Sequence, residues 1–574
     1  MAENKTIILK LLVDKKKNKV VFAEVDKDFV DVLFSFLTIP IGTIVRLAKK
    51  QSKLGCMDAL YKSVEALDRK NFETEAFKSM LLMPRNAYEY KNRNLVVDVC
   101  TYPLYYICPT WTCVTETTCL LSMFENTKCH CTTNMDKPVL RKPQKITEGD
   151  ELNGVFVKGN KKFIISDDLV VREVCNETSL STLCHFNIEE ARSAEERIVS
   201  VGANQVLKLL FRSLLSTTPL SDVFLSNKKW VDAIMKRSVS LDIRRVLNLL
   251  FCSLLSKTPL SDVLLSKRKW ISPNMIRSES VDIKPQVPRT ALDTKMGSLT
   301  LLIKKPNKIL YMGKRNKEKV VYAAAKENFL DFLFSFLGFP MGSALELLGR
   351  DSSIRSIDNL YKSVEDMRNG NPAQFKECND ILLHPKVAAH HSCENQLLQM
   401  EEEDLRVTTV LKCLTCIKGK VAVDQGGVCG HGLDRGKLSF VNPKFLDTVV
   451  KRGNGFLKKS RMFMVTDELI VEPLSPISSV SFVNKLGVPL SELEERIVSV
   501  GEKVTAKVIG KEFHPGLRNL EWYGSELPRQ PLQLDSIRKK IHSLRKSYQQ
   551  LTRMEELNLV ISCSRNNKIT RLTR

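Results

Sequence analysis

The chain has 574 residues, 43% hydrophobic and 27% charged, with 16 cysteines and a formal net charge of +23. That length exceeds what one core usually organises, so several domains are expected, and the composition excludes a wholly disordered chain. The start, MAENKTIILK, has no charged segment leading into an apolar one, so no secretory signal is read. The cysteines are therefore expected as reduced thiols in the cytoplasm or nucleus rather than as a disulfide framework.

The basic charge is scattered in short runs such as Lys15-Lys16-Lys17 and Lys267-Arg268-Lys269, which reads as dispersed surface lysine more than as a nucleic-acid stripe. In chain order, Thr6 to Val13 and Lys19 to Val25 are β-rich runs joined by a polar turn, a hairpin. Next comes FVDVLFSFLTIPIGTIV, residues 29–45. Phe29, Leu33, Phe36 and Leu37 form one helical stripe, with Asp28 as the expected cap and Pro40 as the stop. Asp31 and the proline interrupt the apolar run, which is short of the roughly 20 residues a membrane span needs, so a buried helical hairpin is expected.

The same order returns 300 residues later. Leu299 to Lys304 and Lys319 to Ala325 repeat the hairpin, and FLDFLFSFLGFPMGSAL, residues 329–345, repeats the helices, with Asn328 at the cap. LYKSVE at 60–65 recurs at 360–365, and its exposed-looking Lys62 and Ser63 read as relics of duplication. Val155 to Lys158 with Phe163 to Val171 reads as a further hairpin across Gly159-Asn160, matched by Phe456 to Lys459 and Met462 to Val471. EERIVSVG, Glu195 to Gly202, returns as Glu494 to Gly501 and reads as a strand closing on glycine before a helix.

A smaller duplication lies inside the first copy. Residues 199–238 reappear as 239–278 with 24 of 40 positions identical. Each unit holds a helix, a Thr-Pro start signal and a second helix. Two units are too few for a solenoid, so the extra one reads as a local tandem copy.

The fold class expected is α+β, a tandem duplication of a β-hairpin plus helix module with small zinc-ribbon-like elements. The divisions read are 1–145 and 146–238 for the first copy, 239–278 for the extra helical unit and 279–296 for a linker. The second copy takes 297–440 and a truncated 441–505, and 506–574 is a divergent basic helical tail.

The ordered blocks IILKLLVD at 7–14, FxDxLFSFLxxPxG, LYKSVE, ISDDLVV at 165–171 and EERIVSVG together resemble a plant family known only as a domain of unknown function, number 674 in its series. The resemblance covers about 1–270 and 297–505. It implies no activity, substrate or catalytic residue, and this chain departs from it in the extra unit and the tail.

One constellation carries chemistry. Cys108 and Cys113 are followed by Cys129-His130-Cys131, and Cys413 and Cys416 by Cys429-Gly430-His431. Two short knuckles offering four soft ligands suit tetrahedral zinc: Cys108, Cys113, Cys129 and Cys131 in the first copy, and Cys413, Cys416, Cys429 and His431 in the second. The second set has the more usual CxxC spacing, and four protein ligands would make either site structural. The alternative for these thiols is buried cysteines acting as small hydrophobes.

Walker A, HExxH, GxSxG and strand–GxGxxG–helix patterns are absent from the sequence, so no catalytic residue is assigned and no enzyme is expected. The function expected is a non-catalytic protein-interaction or scaffold protein with structural zinc and an unidentified protein partner. Behind it stand a nucleic-acid-associated zinc protein using Lys228-Lys229-Trp230, Lys267-Arg268-Lys269-Trp270 and Trp111, and then an enzyme of unknown type.

Overall fold

The computed structural model describes residues 6–89, 104–110, 113, 118–140, 155–157, 161–174, 194–225, 253–254, 256–265, 295–304, 318–348, 356–370, 380–391, 400–403, 410–412, 421–423, 434–444 and 455–501. Residues 1–510 form one compact unit. The tail expected as helical, all but the last two residues of the linker, and the three tryptophans named above lie outside the described residues.

Hydrophobic alternation sets the first copy's sheet. Strand β1 (Ile7–Asp14) points Ile7, Leu9, Leu11 and Val13 into the core and pairs antiparallel with β2 (Lys19–Asp26). Helix α1 (Lys27–Ser35) follows, then a 3-10 turn over Phe36–Thr38, then α2 (Ile41–Leu47), entered from extended Pro40. Helix α3 (Met57–Ala66) and α4 (Glu75–Leu82) complete this layer. The cap position of α1 is Asp26 rather than Asp28, and Lys326 rather than Asn328 in the second copy. Neither side chain bonds to the helix, and Asp28 sits instead in the first turn, where its charge suits the helix dipole.

Five short strands follow: β3 (Leu104–Ile107), β4 (Thr118–Leu121), β5 (Thr127–Lys128), β6 (Asn134–Met135) and β7 (Lys137–Leu140). Strands β8 (Lys162–Ser166), β9 (Val171–Glu173) and β10 (Ala194–Val201) then close the main sheet in the order β10-β1-β2-β8-β9. Gly202 precedes α5 (Ala203–Leu215), and Pro219 opens α6 (Pro219–Phe224).

The second copy repeats this frame with β11 (Lys295–Lys304), β12 (Lys319–Lys326), α7 (Glu327–Ser335), α8 (Met341–Leu348) and α9 (Ser356–Gly370). It continues through β13 (Val410–Lys412), β14 (Val421–Val423), β15 (Asp434–Phe440), β16 (Met462–Thr466), β17 (Val471–Pro473), α10 (Pro476–Lys485) and β18 (Leu493–Gly501). Its main sheet runs β17-β16-β12-β11-β18, the counterpart of the first. The expected hairpin at 155–171 is not formed by its first arm. Residues 155–157 are a bend, and β8 pairs instead with β2 and β9.

The copies meet across a pseudo-twofold axis at the two prolines. Ile41 N–H donates to the Phe339 carbonyl at 2.9 Å, and Met341 N–H donates to the Ile39 carbonyl at 3.0 Å. A Cβ on Gly42 would lie 2.9 Å from the Leu337 carbonyl oxygen, so the turns approach as closely as glycine permits. Apolar residues of both copies form one continuous core. Ser63, rather than a relic, is a brace: its hydroxyl accepts from Val471 N–H at 2.9 Å, and Ser363 accepts from Val171 N–H at 2.9 Å. Each serine thus fixes an edge strand of the other copy's sheet, β17 or β9.

The extra unit is not a local copy either. In the first unit, Ser221 Oγ accepts from Val20 N–H at 2.7 Å, while Ser221 donates through N and Oγ to Asp167 at 2.8 and 2.7 Å. In the second, Ser261 accepts from Val320 N–H at 2.7 Å and donates to Asp467 at 2.8 and 2.6 Å. Each unit also reaches across. The Ser356 hydroxyl donates to the Ser216 carbonyl at 2.8 Å, and Cys56 at the matching position donates its thiol to the Ser256 carbonyl at 3.0 Å. The described residues of the second unit, encoded before the linker, stand to the second copy as those of the first unit stand to the first.

One slot beside the axis is filled differently in the two copies. Thr38 accepts from Asn86 Nδ2 at 2.9 Å. Its counterpart is Gly338, and the His391 ring occupies the place a side chain would take, with Nε2 1.7 Å from a built Cβ. His391 is buried, its Nε2 lacks a partner among the described residues, and burial beside Lys444 holds its imidazole down to about 3.

Candidate metal centre

The cysteine segment is built on β3 and β7, which pair from Leu104↔Leu140 to Ile107↔Lys137. Tyr106 and Ser122 exchange backbone hydrogen bonds at 2.8 and 2.9 Å, which lashes β3 to the end of β4. The Ser122 and Thr127 hydroxyls lie 2.6 Å apart and are both buried, closing the loop that leads into β5. Cys108 therefore emerges from the end of β3 close to the β5–β6 turn.

That turn explains how ligands one residue apart can converge. Cys129 N–H donates to the Thr133 carbonyl, Thr132 N–H donates back to the Cys129 carbonyl, both at 2.9 Å, and Thr132 takes the left-handed conformation at φ 67°. The chain folds back on itself, and the two thiols of Cys129-His130-Cys131 serve one point. The Sγ atoms of Cys108, Cys113, Cys129 and Cys131 all lie within 4.8 Å of one another. Cys108 and Cys131 are 3.5 Å apart. Zinc–sulfur bonds of about 2.3 Å in a tetrahedron set sulfur–sulfur edges of about 3.8 Å, so the spacing suits a single ion.

The cluster is half enclosed. Cys108 and Cys129 are buried, Cys113 is partly buried and Cys131 is exposed. Fully buried Met135 lies under it, with Tyr106, Leu120 and Val441 packed around. Hydrogen bonds from Thr133 hold the Cys131 thiol down to about 6, whereas burial, then contact with the Cys131 thiol, pushes Cys113 up to about 12. A soft divalent cation would favour the thiolate form at all four positions. With four protein ligands no position is left for a water, which fits a structural ion rather than a hydrolytic one.

Val441 belongs to the second copy. Strand β4 pairs in parallel with β15 from Thr118↔Lys437 to Leu121↔Phe440, and Val441 N–H donates to the Leu121 carbonyl at 2.8 Å. Tyr105 and Phe440 rings are 5.6 Å apart. The resulting sheet, β14-β13-β15-β4, joins the cysteine segments of both copies. Cys413, Cys416, Cys429 and His431 lie outside the described residues.

The strongest polar features elsewhere are aspartates that the motif reading did not single out. Asp31 accepts backbone N–H groups from Val155, Phe156 and Val157, at 2.6, 2.9 and 2.9 Å. Asp331 accepts from Phe456 and Leu457 at 2.9 and 3.1 Å. Burial pushes Asp31 up to about 6 and Asp331 up to about 7 against the pull of those amides. Burial also raises Asp167 and Asp467. A signal was available: an acid inside an apolar helix, repeated at the same place 300 residues on, needs a buried partner.

No helix among the described residues is long and apolar enough to cross a membrane. No curated protein and no solved structure matches the chain. Residues 3–236 and again 229–503 match a family described as "Protein of unknown function (DUF674)". The two matches follow the two copies traced in the fold, and the chain belongs to that family.

Proposed function

We propose that this protein is a non-catalytic interaction protein, a paired scaffold whose first cysteine segment is stapled by a structural zinc ion. The observation that carries the reading is the convergence of Cys108, Cys113, Cys129 and Cys131 on one point, beside strand β4, which pairs with the second copy. Raised carboxyl groups often mark reactive sites. Here the four raised aspartates among the described residues are each spent on backbone amides that hold the frame: Asp31 and Asp331 on loops, Asp167 on Ser221 and Asp467 on Ser261. Two linked copies offering like surfaces suit binding, because a second contact gains from the first through effective concentration.

The test is metal content of the full chain purified without chelator, beside a chain carrying Cys108→Ser, Cys113→Ser, Cys129→Ser and Cys131→Ser. One zinc ion fewer in the variant supports the reading. Equal zinc in both removes it.

A further inference from the structure

The four thiols are not equally protected. Cys108 and Cys129 are buried against Met135, while Cys131 stands at the surface on the outer side of its turn. The exposed thiol's partner is close: its Sγ is 3.5 Å from Cys108 Sγ. A disulfide needs about 2.0 Å, so a shift of about 1.5 Å joins them. Resting on the zinc reading above, we infer that the centre is an oxidation-released clasp: hydrogen peroxide couples Cys131 to Cys108, and the ion leaves.

The chemistry balances. The Cys131 thiolate attacks one peroxide oxygen; an S–O bond forms, the O–O bond breaks, and the departing hydroxide takes a proton to become water. The Cys108 thiolate then attacks the sulfenic sulfur. The S–S bond forms, the S–O bond breaks, and a second hydroxide leaves as water after protonation. Two thiolates have lost two electrons to one peroxide. Cys113 and Cys129 remain, and two thiolates cannot hold zinc as four do.

The consequence reaches the second copy. Strand β4 lies in the chain between Cys113 and Cys129, and it carries the parallel pairing to β15. Val441, at the end of β15, packs on the cluster itself. Loss of the ion releases Cys113, on the N-terminal side of β4, while the Tyr106–Ser122 backbone pair still holds its other end, so the oxidised protein loosens from that side where the two cysteine segments meet.

The experiment uses the reduced full chain in thiol-free buffer, with hydrogen peroxide as the probe. Zinc content is read first, then zinc released to a metallochromic dye, then disulfides by non-reducing peptide mapping. Amide hydrogen exchange follows residues 118–121 and 437–440. Expected are release in step with a Cys108–Cys131 linked peptide, faster exchange in both strands, and reversal by dithiothreitol with added zinc. Zinc retained under excess peroxide, or released without that linked peptide, overturns the inference and leaves the zinc reading standing. A chain with no zinc at these thiols before peroxide overturns both.

Discussion

If the segment around Ser261 belongs to the second copy, Ser261→Ala must damage a sheet whose own strands begin more than thirty residues later. Its hydroxyl does two things: it donates to Asp467, which is buried, and it accepts from Val320 N–H, also buried. Losing a hydrogen bond to a charged group costs about 1.5–3 kcal/mol, and an orphaned buried amide about 1–3 kcal/mol. The sum is about 2.5–6 kcal/mol. Ser221→Ala removes the same pair of bonds from Asp167 and Val20, so it supplies an internal standard. Urea unfolding of the full chain followed by circular dichroism measures both, and hydrogen exchange at β12 and β16 localises the first. Comparable losses, with faster exchange in β12 for Ser261→Ala, are expected. A Ser261→Ala chain within about 0.5 kcal/mol of the unchanged protein, beside a damaged Ser221→Ala chain, would refute the pairing of this unit with the second copy.

Asp331 gives a pH dependence of fixed sign. Its carboxyl is pushed from 3.8 up to about 7, chiefly by burial, so its stabilising contribution is full below 3.8 and is lost as pH rises through about 7. That shift corresponds to about 4 kcal/mol. Asp331→Asn, which keeps an oxygen acceptor for the Phe456 and Leu457 amides, should flatten the fall in urea midpoint between pH 4 and 8; an unchanged slope would count against it. Gly42→Ala places a methyl 2.9 Å from the Leu337 carbonyl, and overpacking of this kind costs about 1–3 kcal/mol; an unaltered melting curve would mean the turns can part freely. Ser63→Ala and Ser363→Ala each orphan a buried amide in the opposite copy, at about 1–3 kcal/mol apiece, measurable as faster exchange at Val471 and Val171.

Period and punctuation made the elements legible. Alternation in IILKLLVD and KVVFAEVD, the helical stripe from Phe29 to Leu37, and Pro40 as a stop all describe local physics that the structure keeps. Repetition made the duplication legible. What stayed hidden is non-local. Nothing near Val155 says that its amide will meet Asp31, 124 residues earlier, so an apolar run beside a Gly-Asn pair read as a strand. Ser63 looked exposed because its partner lies 408 residues on. The extra 40-residue unit was recognised as a repeat, yet sequence proximity assigned it to the wrong neighbour. At the cysteines, the first pair's gap of four residues is wider than the usual CxxC, and the fold absorbs it because β3, β4 and the β5–β6 turn meet at one corner.

The slot beside the pseudo-twofold axis has a wider meaning. A dimer of identical chains must solve each symmetric position twice with one residue, and every substitution there strikes both halves at once. Joining the halves in one polypeptide lifts that obligation. Thr38 with Asn86 and Gly338 with His391 are two answers to one geometric question, held side by side. Neither answer had to suit the other half. The fused chain can therefore specialise one half while the other keeps the frame, a freedom that an assembly of identical subunits does not have.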